Sequence, residues 1–71
     1  MQQYSVKELR VRNNLTQAQS AEKLGVSTQT YNAWEKDISK VPIGKVAAIA
    51  ILYGVTIGEI FLPNNMKNIH T

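Results

Sequence analysis

The segment Ser27 to Lys36, STQTYNAWEK, sets two large rings among short hydroxyl and amide side chains. At helical spacing Tyr31 and Trp34 point one way, while Thr28, Gln29, Asn32, Ala33 and Lys36 share the other side. Hydroxyls and carboxamides in this pattern form neither a nucleophile with its base nor a metal shell. They donate and accept hydrogen bonds, so the chemistry on offer is recognition of a surface with a fixed pattern of donors and acceptors. An exposed helix is ordinarily filled with Glu, Lys and Ala, which form helix better than Thr and Asn, so this face gives up propensity for its polar groups. The plain alternative is a solvated polar face.

The rest of the chain adds no reactive centre. Its 71 residues suffice for one small domain, in which almost every apolar residue must serve a single core. There is no cysteine, which excludes disulfides and thiolate metal sites and fits a reducing cytoplasm. His70, the only histidine, lies in a polar stretch, so neither a metal shell nor a nucleophile-base-oxyanion set can be assembled. No enzymatic activity, metal or other cofactor is expected. The opening MQQYSVKELR lacks the apolar core of a signal peptide, and Lys45, Glu59, Gly44, Gly54 and Gly58 interrupt the apolar run Ile43 to Leu62. A soluble, cytoplasmic chain without membrane attachment is expected. Eight Lys/Arg against five Asp/Glu give a formal charge of +3, which mildly favours a polyanionic partner.

Five helices are predicted to position the polar face, giving a compact all-α domain. Ser5 with Glu8 forms a capping box, Tyr4 with Leu9 a hydrophobic staple, and helix one runs from about Val6 to Asn13, with Asn14 suited to a left-handed exit. Thr16 with Gln19 opens the second helix, Gln17 to Leu24, which Gly25 stops. Ser27 opens the third after only Gly25 and Val26, a link too tight for antiparallel packing and suited to a helix-turn-helix corner. Pro42 and Gly54 bound a fourth helix, roughly Ile43 to Tyr53, which has hardly any polar face and should be central. Thr56 with Glu59 is a further capping box that begins a short fifth helix ending near Leu62. No strand signal is present. Residues 1–63 read as one domain and 64–71 as a polar tail.

Base edges in the DNA major groove present donors and acceptors that amides and hydroxyls match, and a small residue such as Ala33 can approach a thymine methyl. Acidic groups would be repelled by the phosphates, and none lies on the outward face of the third helix. Residues Leu15 to Lys36, LTQAQSAEKLGVSTQTYNAWEK, resemble the helix-turn-helix of the phage-repressor and Cro-like family, also called the xenobiotic-response-element type. Leu-Thr-Gln, Ala, Leu-Gly-Val-Ser and Trp-Glu all stand at the family's spacing. Upstream VKELR and downstream YGVTIGEIF extend the likeness over about residues 5 to 61. Asp37 departs from the glycine often found two residues after the Glu, which predicts a longer or differently bent exit from helix three. Gly58 replaces a frequent acidic residue, and Ile51 a usually polar one.

The resemblance implies a lambda-repressor-like fold and a sequence-specific double-stranded DNA-binding transcriptional regulator, a bacterial or phage-encoded repressor reading the major groove with helix 28–36. It assigns base reading to Thr28, Gln29, Asn32 and Ala33, the positions the helical wheel selects independently. It gives Thr16 and Gln17 a phosphate clamp, with simple capping as the other reading. Lys36, Ser39 and Lys40 follow the recognition helix and would flank the groove, whereas Lys7 and Arg12 read equally well as solubilising charges. Arg10 and Glu35 are expected to pair across helices one and three rather than stand as independent surface charges, and Tyr31 and Trp34 to be core. Such domains usually bind palindromic operators as twofold dimers. Ile51, Leu52, Ile57, Phe61 and Leu62 exceed what the core can absorb and are expected to form a homodimer interface. No small-molecule effector is evident. An antitoxin using the same domain for autoregulation, and a purely protein-binding module, are the competing classes.

Overall fold

The computed structural model describes residues 3–60. Within them lie α1 (Val6–Arg12), α2 (Gln17–Leu24), α3 (Thr28–Lys36) and α4 (Ile43–Tyr53), with 3-10 turns at Ile38–Lys40 and Ile57–Glu59. Each of the first three helices starts where a short side chain accepts a hydrogen bond from an otherwise unpaired amide. Ser5 Oγ accepts from Glu8 N at 3.1 Å while the Glu8 carboxylate accepts from Ser5 N at 2.8 Å. Thr16 and Gln19 repeat the reciprocal pair at 3.0 and 2.8 Å, and Ser27 Oγ accepts from Thr30 N at 3.1 Å. Pro42 precedes α4, where its missing N–H costs nothing.

The helix ends follow the same local chemistry. Asn14, just beyond α1, has φ of 59°, and Gly25 and Gly54, which end α2 and α4, have φ of 73° and 71°. A Cβ at either glycine would meet no neighbour, so the requirement there is backbone conformation and not space. Asp37 leaves α3 in an extended conformation, φ −151°, and its carboxylate accepts from Ser39 N at 3.0 Å and Ser39 Oγ at 2.6 Å. The chain therefore leaves α3 through a 3-10 turn that delivers Val41 into the core, the altered exit that Asp37 predicts.

Among the described residues the helix count is four. The expected fifth helix is the single 3-10 turn Ile57–Glu59, in which Glu59 accepts from Thr56 N at 2.9 Å and Thr56 Oγ1 at 3.1 Å. Ile60 then becomes extended and forms a parallel bridge to Tyr4, whose N–H donates to Glu59 O at 2.8 Å. A further helical turn would remove that pairing, and Gly58 disfavours one. Phe61, Leu62 and the tail 64–71 lie outside the described residues. No helix among those described is long and apolar enough to cross a membrane.

The core is built by Leu9 of α1, Ala21 and Leu24 of α2, Tyr31 and Trp34 of α3, and Ile49 and Tyr53 of α4. The rings of Tyr31 and Trp34 meet edge to face, with centroids 6.4 Å apart. A buried polar thread crosses this apolar mass: the Tyr53 hydroxyl donates to Ser20 Oγ at 2.9 Å and stands 2.5 Å from the Tyr31 hydroxyl. Burial pushes the Tyr31 hydroxyl far above its ordinary value, with the Tyr53 hydrogen bond acting the same way, so it stays protonated. Lys45 of α4 donates to the Leu24 carbonyl at 2.8 Å and so completes the end of α2. Because Tyr53 serves two buried hydroxyls, Tyr53→Phe should lower the unfolding free energy in urea titrations by about 1–3 kcal/mol. Removing the Ser20, Tyr31 and Tyr53 hydroxyls together should cost less than the sum of the single changes, since no partner is then left unmatched.

Candidate nucleic-acid interface

The element that fixes α3 to the two preceding helices is a carboxylate. The Glu35 side chain is 5% exposed and Arg10 14%, and Arg10 Nε donates to Glu35 Oε2 at 2.6 Å. A second guanidinium nitrogen reaches Glu35 Oε1 at 3.4 Å, and a third donates to the Leu15 carbonyl at 2.9 Å. Gln17 Nε2, from the first turn of α2, donates to Glu35 Oε1 at 2.9 Å. Burial alone would raise the Glu35 carboxyl, but the hydrogen bonds from Arg10 and Gln17 outweigh it and hold the group below its ordinary value. The cross-helix pair expected at Arg10 and Glu35 is therefore present, nearly buried, and extended by Gln17.

With Tyr31 and Trp34 sealed at 0% and 4% exposure, the opposite side of α3 faces outward. Thr28 and Gln29 are exposed, and Asn32 and Ala33 are half-buried. Neither Thr28 nor Gln29 has a side-chain hydrogen bond within the described chain, whereas Asn32 Nδ2 donates to Gln17 Oε1 at 3.1 Å. Gln17 thus has both ends of its amide engaged, with one Nε2 hydrogen left over. Thr16 Oγ1 acts as a helix cap and retains its own hydrogen for donation.

Lys36, Ser39 and Lys40 are exposed at and beyond the C-terminal end of α3. Both Ser39 donors are turned onto Asp37, which sets it apart from the two lysines as a partner for an anion. Arg12 stacks over the Tyr4 ring at 4.6 Å and so belongs to the packing of α1. Of the residues expected at a homodimer interface, Ile51 is 81% and Ile57 48% exposed. Leu52 instead packs partly against the core, because its position on α4 turns toward the neighbouring helices.

The helix-turn-helix family matches over residues 6–60. The chain belongs to the helix-turn-helix family. Within it, the chain is 34% identical over 55 residues to "Uncharacterized HTH-type transcriptional regulator YobD" of Bacillus subtilis (strain 168), covering 78% of the chain and 49% of that relative. The chain thus spans about half the length of the relative it matches. No solved structure matches significantly.

The helix-turn-helix comprises α2, the turn at Gly25 and Val26, and α3, the elements the sequence places there. Sequence reasoning does not find the Gln17 links to Glu35 and Asn32, the Lys45 bond to Leu24, or the Tyr53 bond to Ser20. The available signal for Gln17 is that a carboxamide at the first helical position can reach the next helix across so short a turn. Arg10→Met should cost on the order of 3 kcal/mol in denaturant titrations, since it strands a buried carboxylate. The depressed Glu35 carboxyl contributes stability that is complete above the unfolded value near 4.5 and is lost as pH falls through the lower folded value. Unfolding free energy should therefore drop on acidification below about pH 4.5, and less steeply in Glu35→Gln. Glu8, Asp37 and Glu59, also held low by hydrogen bonds, supply the slope that remains.

Proposed function

We propose that this chain is a sequence-specific double-stranded DNA-binding transcriptional regulator, a repressor of phage or mobile-element type that reads the major groove with α3 as a homodimer. The observation that carries this reading is the division of α3: its rings are buried, while Thr28 and Gln29 stand exposed and hydrogen-bond-competent on the other side. Family membership and the name of the Bacillus relative, an HTH-type transcriptional regulator, support it. In this reading residues 1–63 are the DNA-binding domain, 64–71 a polar tail, and the site of action the cytoplasmic nucleoid.

Gln29 pairs bidentately with adenine, worth roughly 1–3 kcal/mol of discrimination, with Thr28 and Asn32 reading neighbouring edges and Ala33 meeting a thymine methyl. The phosphate nearest α2 is met by the Thr16 hydroxyl, the remaining Gln17 Nε2 hydrogen and the unpaired amides of the first helical turn. Lys36 and Lys40 add affinity that is sensitive to salt and indifferent to sequence. Ser39 joins them only by releasing Asp37.

A homodimer on a palindromic operator is supported by the apolar surface of α4. Ile43, Ala47 and Ile51 fall at i, i+4 and i+8, all are exposed, and Ile57 lies on the turn that packs against this helix. The same stripe also suits a protein partner, which keeps an antitoxin as the second reading. That reading predicts a stable complex with a toxin and no loss of operator binding.

Selection from a random duplex pool should enrich a palindrome with half-sites about one DNA turn apart. Gln29→Ala should then relax preference at one base step. Lys40→Ala should weaken all sequences alike and reduce the slope of log affinity against log salt by about 1. Absence of any enriched sequence would remove the reading, and sedimentation showing only monomer at high micromolar concentration, with and without operator, would remove the dimer.

A further inference from the structure

Gln29, Ala33 and Asp37 follow one another at i, i+4 and i+8, so the outward side of α3 leads, one residue past the helix, to a carboxylate. The Asp37 N–H still donates to the Ala33 carbonyl at 2.9 Å, which keeps its α-carbon on the path of the helix although its own φ of −151° begins the exit. Asp37 is exposed, and so are Lys36 before it and Lys40 beyond it. Hydrogen bonds from the Ser39 hydroxyl and the Ser39 N–H, with the charge of Lys40 adding to them, hold the Asp37 carboxyl below its ordinary value, so it is an anion at neutral pH. Both Ser39 bonds fall on Oδ1, at 2.6 and 3.0 Å, and Oδ2 accepts none within the described chain. The turn thus uses one oxygen, which a neutral Asn or Ser side chain supplies as well as Asp does. The negative charge is surplus to the local structure.

We infer that Asp37 limits the affinity of this chain for DNA: its carboxylate repels the phosphates that Lys36 and Lys40 attract, and it keeps the Ser39 donors away from them. The inference rests on the DNA-binding reading above and adds to it a residue that opposes binding. Repulsion from the sugar-phosphate backbone carries no base information, so the opposition acts on every sequence alike. A regulator restrained in this way leaves unrelated DNA and its own operator more readily, while its choice of sequence stays with Thr28, Gln29, Asn32 and Ala33.

The test uses the whole chain with its selected duplex and an unrelated duplex of the same length. Asp37→Asn removes the charge and retains an oxygen for both Ser39 donors, and circular dichroism verifies its fold. Glu22→Gln is the control for net charge: Glu22 is exposed, has no side-chain partner among the described residues, and lies about 140° around α2 from Gln17. Asp37→Asn should bind both duplexes about two- to fivefold more tightly at low salt. That gain should shrink as salt is raised, because the groups are exposed and screened. Glu22→Gln should leave both affinities nearly unchanged. Asp37→Ser gives the same measurement should asparagine disturb the turn. Unchanged or weaker binding by the folded Asp37 variants would overturn the inference, as would a gain matched by Glu22→Gln, or an altered preference at a single base step, which would make Asp37 a base reader. Each of these would leave DNA binding standing. Failure of folded, intact protein to enrich any sequence would take the DNA reading down and this inference with it.

Discussion

A carboxylate that is almost wholly withdrawn from water persists only where donors surround it, and Glu35 sits at a point where three helices must supply them. Arg10 comes from α1, Gln17 from α2, and Glu35 itself from α3. Satisfying one buried charge therefore fixes the relative placement of all three helices near their outer ends. The Coulombic attraction is offset in large part by desolvation, so the pair is weak grounds for net stability. Its consequence is geometric: any displacement of α3 along or around its axis would leave a buried charge short of partners.

Deeper in the molecule the same helix is held by shape. Tyr31 and Trp34 are buried in the core, and the Tyr31 hydroxyl joins the polar thread through Tyr53 to Ser20. Two kinds of constraint thus act on α3, close packing on its inner side and charge-assisted hydrogen bonds along its flank. A helix fixed in both translation and rotation can present Thr28, Gln29, Asn32 and Ala33 in a constant arrangement, which recognition of a rigid pattern of base edges demands. Rigidity under that surface, together with family membership, joins the fold to the proposed function.

How much of this was legible in the chain depended on the distance over which each signal acts. Caps are local codes, and the limits of α2 and α4 follow from Thr16, Gly25, Pro42 and Gly54 because each residue acts on amides or carbonyls within a turn of itself. Arg10 and Glu35 are 25 positions apart, and only the family resemblance brought them together. The Gln17 links and the Lys45 bond to Leu24 depend on where one helix lies on another, which neither periodicity nor capping expresses. The fifth helix was over-read for a related reason. A Thr56–Glu59 capping box begins a single 3-10 turn as readily as a longer helix, and what decides between them is the pairing of Ile60 with Tyr4 from the opposite end of the domain. Asn32 illustrates the limit at the candidate site itself: the helical wheel places it outward, but only packing reveals that its Nδ2 also donates to Gln17 Oε1.

The central claim is that α3 meets DNA with its polar side while its aromatic side remains in the core. The most direct measurement is a nuclear magnetic resonance titration of the folded chain with its selected duplex. The account predicts large shifts at Thr28, Gln29 and Ala33, with the Trp34 indole resonance nearly unmoved and still protected from solvent exchange. Shifts confined to the outer side of α4, or a Trp34 indole that becomes exposed as DNA binds, would contradict it.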